Sequence, residues 1–226
     1  MLSLLACLLV PQIDPSVAIY VDAYVAGWAL SRRTAQPQPV KHGWHVLTGT
    51  ETEPERHVLT RGTAEDVRRV MNAMPSTGSY VKFAGNHQEW IFLADAEWEA
   101  DPTGWFMTCD LSRGGSDLPL SPPVGDLITA TIEDRVARIE VRHDGEVIAS
   151  GRAGLAGEWA VPDRIRTEEA YRRRGLGLFV MRRLLGLAAE AGAQRAALNA
   201  SSDGRELYQA MGWTTVAQQI GLTRKT

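Results

Sequence analysis

Residues Ile165–Leu185 read IRTEEAYRRRGLGLFVMRRLL: the tail of a strand, a charged turn and the start of a helix. At the junction stands Arg172-Arg173-Arg174-Gly175-Leu176-Gly177. Two glycines two apart let the backbone turn tightly and bring its N–H groups close to a bound group. Leu176, Val180, Met181, Leu184, Leu185 and Ala188 then recur at helical spacing. A helix N-terminus presents unpaired amides and the positive end of the helix dipole. Three arginines beside it add cationic donors suited to phosphate. The physical reading is a diphosphate cradle, although the same residues also suit a nucleic-acid patch or a solvated turn. A dinucleotide fingerprint is excluded by the missing third glycine, and a P-loop by the missing Gly-Lys-Ser/Thr.

The surroundings narrow the choice. A chain of 226 residues makes one large domain or two small ones and can bury a core. Hydrophobic residues make up 44% and charged residues 23%, the balance of an ordinary globular protein. The net charge is −3, so the arginine cluster is a local feature of a mildly acidic chain. That argues against a general nucleic-acid binder, which carries a basic face. Cys7 and Cys109 form no disulfide framework and no Cys-x-x-Cys pair, which reads as free thiols in a reducing, cytoplasmic compartment. The opening MLSLLACLLV has no basic residue before its apolar run and is too short to span a membrane. It reads as a buried N-terminal element.

From Pro15 to Arg33, Val17, Tyr20, Val21, Tyr24 and Trp28 form a helical stripe, and the other side is nearly as apolar. Such a helix is buried in the core or against a second copy in a homodimer. Ala35–Val40 is an extended breaker, followed by strands at Trp44–Leu47 and His57–Thr60. Thr63 and Asp66 have capping-box spacing at the head of a helix that Pro75 ends. Tyr80–Phe83 reads as a strand, His87–Glu97 as a helix and Trp105–Cys109 as a strand. Leu111–Asp126, rich in Gly, Ser and Pro, is the obvious linker, and it puts a domain boundary near residue 124.

Beyond the linker, Val136–Arg142 alternates apolar and charged residues, and Asp144-Gly145 is a strong hairpin turn. Glu146–Arg152 and Trp159–Thr167 continue as strands. The long helix stops at Gly192, a strand follows at Arg195–Ala200, and a short helix opens at Asp203, with Leu207 and Met211 facing inward. Thr214–Gln219 is the last strand, so the order is β-β-β-α-β-α-β. The five histidines form no His-Glu-x-x-His motif, so no metal is expected, and His42 and His45 read as surface or packing residues. The tryptophans read as core or pocket wall.

Two motifs now combine. Arg172-x-x-Gly175-x-Gly177 follows a strand and opens a helix, and Leu207-Tyr208-Gln209-Ala210-Met211-Gly212-Trp213 follows one strand later. This pattern, over about residues 130–220, resembles the GNAT superfamily of acetyl-CoA-dependent N-acetyltransferases. The resemblance implies an α/β fold with a mixed sheet: a GNAT domain at 125–226, preceded by a smaller α/β domain at 1–124 that either is a degenerate GNAT-like copy, the favoured reading, or donates the pieces that complete the C-terminal fold. It implies acetyl-CoA as cosubstrate, no metal, and a small-molecule or peptide amine as acceptor, with neither nucleic acid nor membrane as partner. The amides of Arg173, Arg174, Gly175, Leu176, Gly177 and Leu178, with the side chains of Arg172 and Arg174, would hold the pyrophosphate. Ile165, Arg166 and Thr167 would bind the pantetheine arm, and Tyr208 would protonate the departing thiolate. Ser201 stands where the family often has Asn, Gly204 where it has Ala, and Glu169 where proline is common. Glu158 and Asp163 are the candidates for a general base, with a water chain as the other option. A non-catalytic acyl-CoA-binding module is the alternative function.

Overall fold

The hairpin residues Asp144 and Gly145 both adopt positive φ, 51° and 83°, as a tight two-residue turn demands. They join β10 (Val136–His143) to β11 (Glu146–Ala156), and a second tight turn joins β11 to β12 (Trp159–Thr167). On the other flank β10 pairs antiparallel with β9 (Leu127–Glu133), an edge strand with Leu127 and Ile132 exposed. This strand is absent from the sequence reading, which ran the linker to Asp126 and began the next strand at Val136. Its Ile, Thr and Ile residues are strand formers, and the order after the linker is therefore β-β-β-β-α-β-α-β.

The computed structural model describes residues 10–111 and 121–225. The N-terminal apolar segment up to Leu9, with Cys7, and most of the expected linker lie outside them. Before the linker come β1 (Gln12–Ile13), a 3-10 turn at Pro15–Val17, α1 (Ala18–Arg32), β2 (Gln38–Val40), β3 (Gly43–Leu47), β4 (Glu55–Leu59) and β5 (Gly62–Thr63). Then follow α2 (Ala64–Ala73), β6 (Tyr80–Ala84), α3 (His87–Trp90), β7 (Trp98–Ala100) and β8 (Gly104–Asp110). The Thr63–Asp66 capping box is present in full. The helix expected over 87–97 is one short turn plus a 3-10 turn at Ile91–Leu93. Asp95 stops it, because its side chain accepts from the amides of Glu97 and Trp98 and folds the chain back.

After β12 come α4 (Leu176–Glu190), β13 (Arg195–Ala200), α5 (Ser202–Ala210) and β14 (Thr214–Arg224). One twelve-stranded sheet runs β2-β3-β4-β6-β14-β8-β13-β12-β11-β10-β9, with β7 pairing β14. Strands from before and after residue 124 alternate at its centre: β8 lies between β13 and β14, and β14 between β8 and β6.

Successive residues of β12 point to opposite faces. Ala160 packs with Met181 and Ala188 of α4, while Val161 packs with Val21, Val25 and Trp28 of α1. So α4 covers one face and α1 the other. The apolar helix α1 is thus used inside the chain, on strands β11–β13, and gives no support to a homodimer. Its approach is close: a Cβ on Gly154 of β11 would lie 1.9 Å from the Gly27 carbonyl oxygen, so neither position has room for a side chain. A separate core lies under α2 and α3, where Val67, Met71 and Trp90 meet Leu59, Val81 and Phe83. Trp28, Trp90, Trp98, Trp159 and Trp213 are all buried in these cores.

Candidate functional site

Strands β12 and β13 run parallel but pair only at Trp159↔Arg195 and Ala160↔Ala196. Beyond that point they part, and β12 continues for seven residues to Thr167 with no partner on that side. The bend has a local cause. Two residues, Arg164 and Ile165, stand opposite Gly151 between the pairs Arg152↔Asp163 and Ser150↔Arg166, and Arg164 has φ 52°. This bulge twists the end of β12 away from β13. Ile165, Arg166 and Thr167 therefore sit on the free edge of a splayed strand.

The chain turns from Thr167 through a 3-10 turn at Glu169–Tyr171 and enters α4 at Leu176. Arg173 (φ 60°) and Gly175 (φ 80°) make that turn, and Gly175 is the helix N-cap without any side-chain cap. The first amide bonded back into the helix is that of Phe179, to Gly175 oxygen at 3.0 Å, so the amides before it point outward unpaired. No acidic residue lies in the first turn. Gly177 faces the strand end: a Cβ there would lie 3.8 Å from Thr167 Oγ1. Leu176 is buried beneath it, and Leu178 is half-buried. Arg172, Arg173 and Arg174 are exposed, and no carboxylate pairs with any of them among the described residues. Arg172 Nε donates to the Thr167 carbonyl at 3.3 Å, and Arg174 lies over the Tyr171 ring at 5.4 Å. The ten residues from Ile165 to Leu178 singled out in the sequence thus form one patch.

Tyr208 lies on α5, directly beyond β13. Ser201, not Asp203, caps this helix, accepting from the Gly204 amide at 3.2 Å. The Tyr208 ring folds back one turn, so that a Cβ on Gly204 would meet its Cε2 at 3.3 Å. The ring also packs 5.8 Å from Trp213, and burial pushes the phenol pKa above its usual value. Leu207, expected to face inward, is exposed, because α5 turns its Tyr208–Met211 side to the core instead.

Glu158 lies away from the splay, and Asp163, although on the unpaired stretch of β12, has its side chain engaged by α1. Glu158 sits in the β11–β12 turn, at the opposite end of β12, 3.6 Å from Arg195. Asp163 faces α1, where Arg32 binds it at 2.6 and 2.8 Å and Ser31 at 2.9 Å. Burial alone would raise its pKa, but the Arg32 and Ser31 hydrogen bonds and the charges of Arg32 and Arg152 bring it below the usual value.

A polar cavity of about 570 Å³ went unnoticed in the sequence. It opens on the α1 face at the end of β13 and is lined by Tyr80, Lys82, Asp101, Gly104, Asn199 and Gln219, among others. Asn199 donates through Nδ2 to Gln219 Oε1, while its Oδ1 is buried without a partner. Burial pushes the Lys82 ammonium down to about 8, with Arg56 adding to the effect and Asp101, 3.7 Å away, opposing it. One sequence signal was available: Asn199 is the lone polar residue in the otherwise apolar run Ala196–Ala200.

The splayed strand pair lies beside an uncapped, arginine-flanked helix, and strand, arginine turn and helix follow in the order read from Ile165–Leu185. The acetyltransferase (GNAT) family model matches residues 90–213, more than half of the chain. The chain belongs to the GNAT acetyltransferase family. It is therefore an acyltransferase, and the GNAT match begins well before residue 124. A GCN5-related N-acetyltransferase from Kribbella flavida superposes with a TM-score of 0.64 at 16% identity, covering 93% of this chain and 96% of that one. A putative GNAT acetyltransferase from Novosphingobium aromaticivorans gives 0.56 at 14%, covering 94% and 100%. A tandem GNAT protein from the clavulanic acid biosynthesis pathway gives 0.52 at 13%, covering 71% and 67%. At these identities the likeness is one of GNAT fold. No curated protein sequence matches significantly.

Proposed function

We propose that the chain transfers an acetyl group from acetyl-CoA to an amine, directly, within a ternary complex. The observation that carries this reading is the parting of β12 from β13 immediately beside the unpaired amides of α4. The amides of residues 173–178, with Arg172 and Arg174, would hold the CoA pyrophosphate as a helix N-terminus holds anions. The free edge at Ile165–Thr167 would take the pantetheine amides as an added strand takes a sheet edge. The diphosphate then lies at the α4 end and the thioester in the cleft between the strands.

The amine enters from the polar cavity on the α1 face. Asn199 Oδ1, buried and without a partner, would accept a hydrogen bond from it. Its nitrogen attacks the thioester carbonyl carbon, the carbon–sulfur bond breaks, and the Tyr208 hydroxyl gives its proton to the leaving thiolate. Solvent returns a proton to Tyr208 and takes the one released by the amine. Raising the phenol pKa by burial keeps that proton in place until a base as strong as a thiolate appears. In this reading residues 1–124 supply β8 and part of the acceptor wall, while 125–226 supply the cradle. The free, half-buried Cys109 suits a reducing, cytoplasmic setting, and among the described residues no helix is long and apolar enough to cross a membrane.

The test is a panel of small amines and lysine peptides incubated with acetyl-CoA and read by thiol release. Acetylation of at least one acceptor, lost in Tyr208→Phe, is the expected result. Acetyl-CoA binding with no turnover across the panel would favour a non-catalytic acyl-CoA-binding module.

A further inference from the structure

His45 and His57 are twelve residues apart in the chain and directly opposite each other in the sheet, paired in the β3–β4 register. Glu55 precedes His57 by two positions on β4 and so shares its face. That face is the one turned away from α1, since the alternate residues Val46 and Val58 are the ones packed under it. One ligand atom from each of His45, Glu55 and His57 lies within 4.8 Å of the others. We propose that these three side chains form a binding site for a zinc-like divalent cation, distinct from the transfer site and contrary to the expectation from sequence.

Several features of the cluster fit a metal better than simple packing. His45 Nε2 lies 2.8 Å from Glu55 Oε2, so one histidine and the carboxylate already converge. His57 Nδ1 is buried and has no hydrogen-bond partner among the described residues, which a packing histidine rarely tolerates. Two imidazole nitrogens and one carboxylate oxygen are a borderline-soft donor set that suits zinc, with water as a fourth ligand, and not magnesium or calcium. The Glu55 Oε1 atom receives the Ser79 hydroxyl at 3.1 Å, an outer contact of the kind that orients a ligating carboxylate.

The rings are stacked, 4.5 Å apart and 18° from parallel. Stacked rings do not aim lone pairs at one point, so binding turns them about their Cβ–Cγ bonds, a soft torsion in histidine. A cation there would pin the β3–β4 hairpin near the outer edge of the sheet.

The experiment is calorimetric titration of the chelator-treated full chain with Zn²⁺, Co²⁺ and Mg²⁺, beside the double variant His45→Gln/His57→Gln. Wild type should take one more equivalent of Zn²⁺ than the double variant, show tetrahedral Co²⁺ absorption and ignore Mg²⁺. Its melting temperature should rise with Zn²⁺ while that of the double variant does not. Ser79→Ala should weaken Zn²⁺ binding about tenfold, the lower end of outer-contact effects. Circular dichroism of the double variant without metal confirms that it folds. If it does not fold, Glu55→Gln takes its place. Equal Zn²⁺ stoichiometry in wild type and variant, or no tetrahedral Co²⁺ signal, would overturn the site.

Discussion

Arg32, at the end of α1, grips Asp163 of β12 with two hydrogen bonds, Nε–Oδ2 at 2.6 Å and Nη2–Oδ1 at 2.8 Å. The Asp163 side chain is only 10% exposed, so this planar pair fixes α1 against the strand that carries the proposed cofactor edge. Removing Arg32 leaves the Asp163 charge buried, which typically costs about 3–5 kcal/mol. Arg32→Ala should lower stability by about 3 kcal/mol and Asp163→Ala by less, because the Arg32 side chain is 30% exposed, and the two effects should combine to less than their sum. Urea titration of the two single variants and the double variant checks this.

The same pair has a pH signature. The folded pKa of Asp163 is depressed, so its contribution is present at neutral pH and is lost as pH falls below the ordinary carboxylate value of about 3.9. The stability gap between wild type and Asp163→Asn should close as urea titrations move from pH 7 to pH 3.

His57 works in a higher window. Its folded pKa, about 4, lies below the ordinary imidazole value of about 6.5, so folding favours the neutral ring. Stability should fall as pH drops from about 6.5 to 4, where the unfolded chain binds a proton that the folded chain refuses. His57→Gln should flatten that part of the profile, measured in chelator by denaturant midpoint.

Contact between α1 and the sheet leaves no slack at glycine. A Cβ on Gly27 would stand 2.4 Å from Val161 Cγ2, and one on Gly154 would strike the Gly27 carbonyl. Gly154→Ala should cost more than Gly27→Ala, because a backbone atom cannot turn aside as a side chain can. Overpacking typically costs about 1–3 kcal/mol. Thermal melts of the two variants give the order.

The catalytic role proposed for Tyr208 predicts a loss of kcat with little change in acetyl-CoA affinity in Tyr208→Phe. General acids typically contribute on the order of 10²–10⁴-fold, and steady-state kinetics with an identified acceptor measures it. Unchanged turnover would leave Tyr208 as a ring packed against Trp213.

The sequence made the cradle legible because its parts are contiguous: strand, arginine turn, two glycines and helix lie within twenty-one residues, Ile165–Leu185. Alternation along β10 and the Asp144-Gly145 turn were equally local. What escaped the sequence depends on partners far apart in the chain. β8 enters the sheet between β13 and β14, which no local pattern along Gly104–Asp110 announces. His45 and His57 meet only through the β3–β4 register, and Asp163 finds Arg32 across 131 positions. Strand β9 went unread because the Pro-rich linker ahead of it masked a short β-branched run. The α5 cap moved to Ser201 because Ser and Asp are comparable N-caps and spacing alone does not choose between them.

The central claim is that the α4 N-terminus binds the diphosphate of acetyl-CoA by close backbone approach at Gly177. A methyl group at Gly177 meets nothing nearer than Thr167 Oγ1 at 3.8 Å, so Gly177→Ala should fold as wild type does. Gly175→Ala is a poorer probe, since φ 80° strains any other residue. Calorimetric titration of wild type and Gly177→Ala with acetyl-CoA is the most direct measurement. The account predicts one acetyl-CoA per wild-type chain and binding weakened at least tenfold in Gly177→Ala at unchanged melting temperature. No binding by wild type at millimolar acetyl-CoA, or equal affinity in the two proteins, would contradict it.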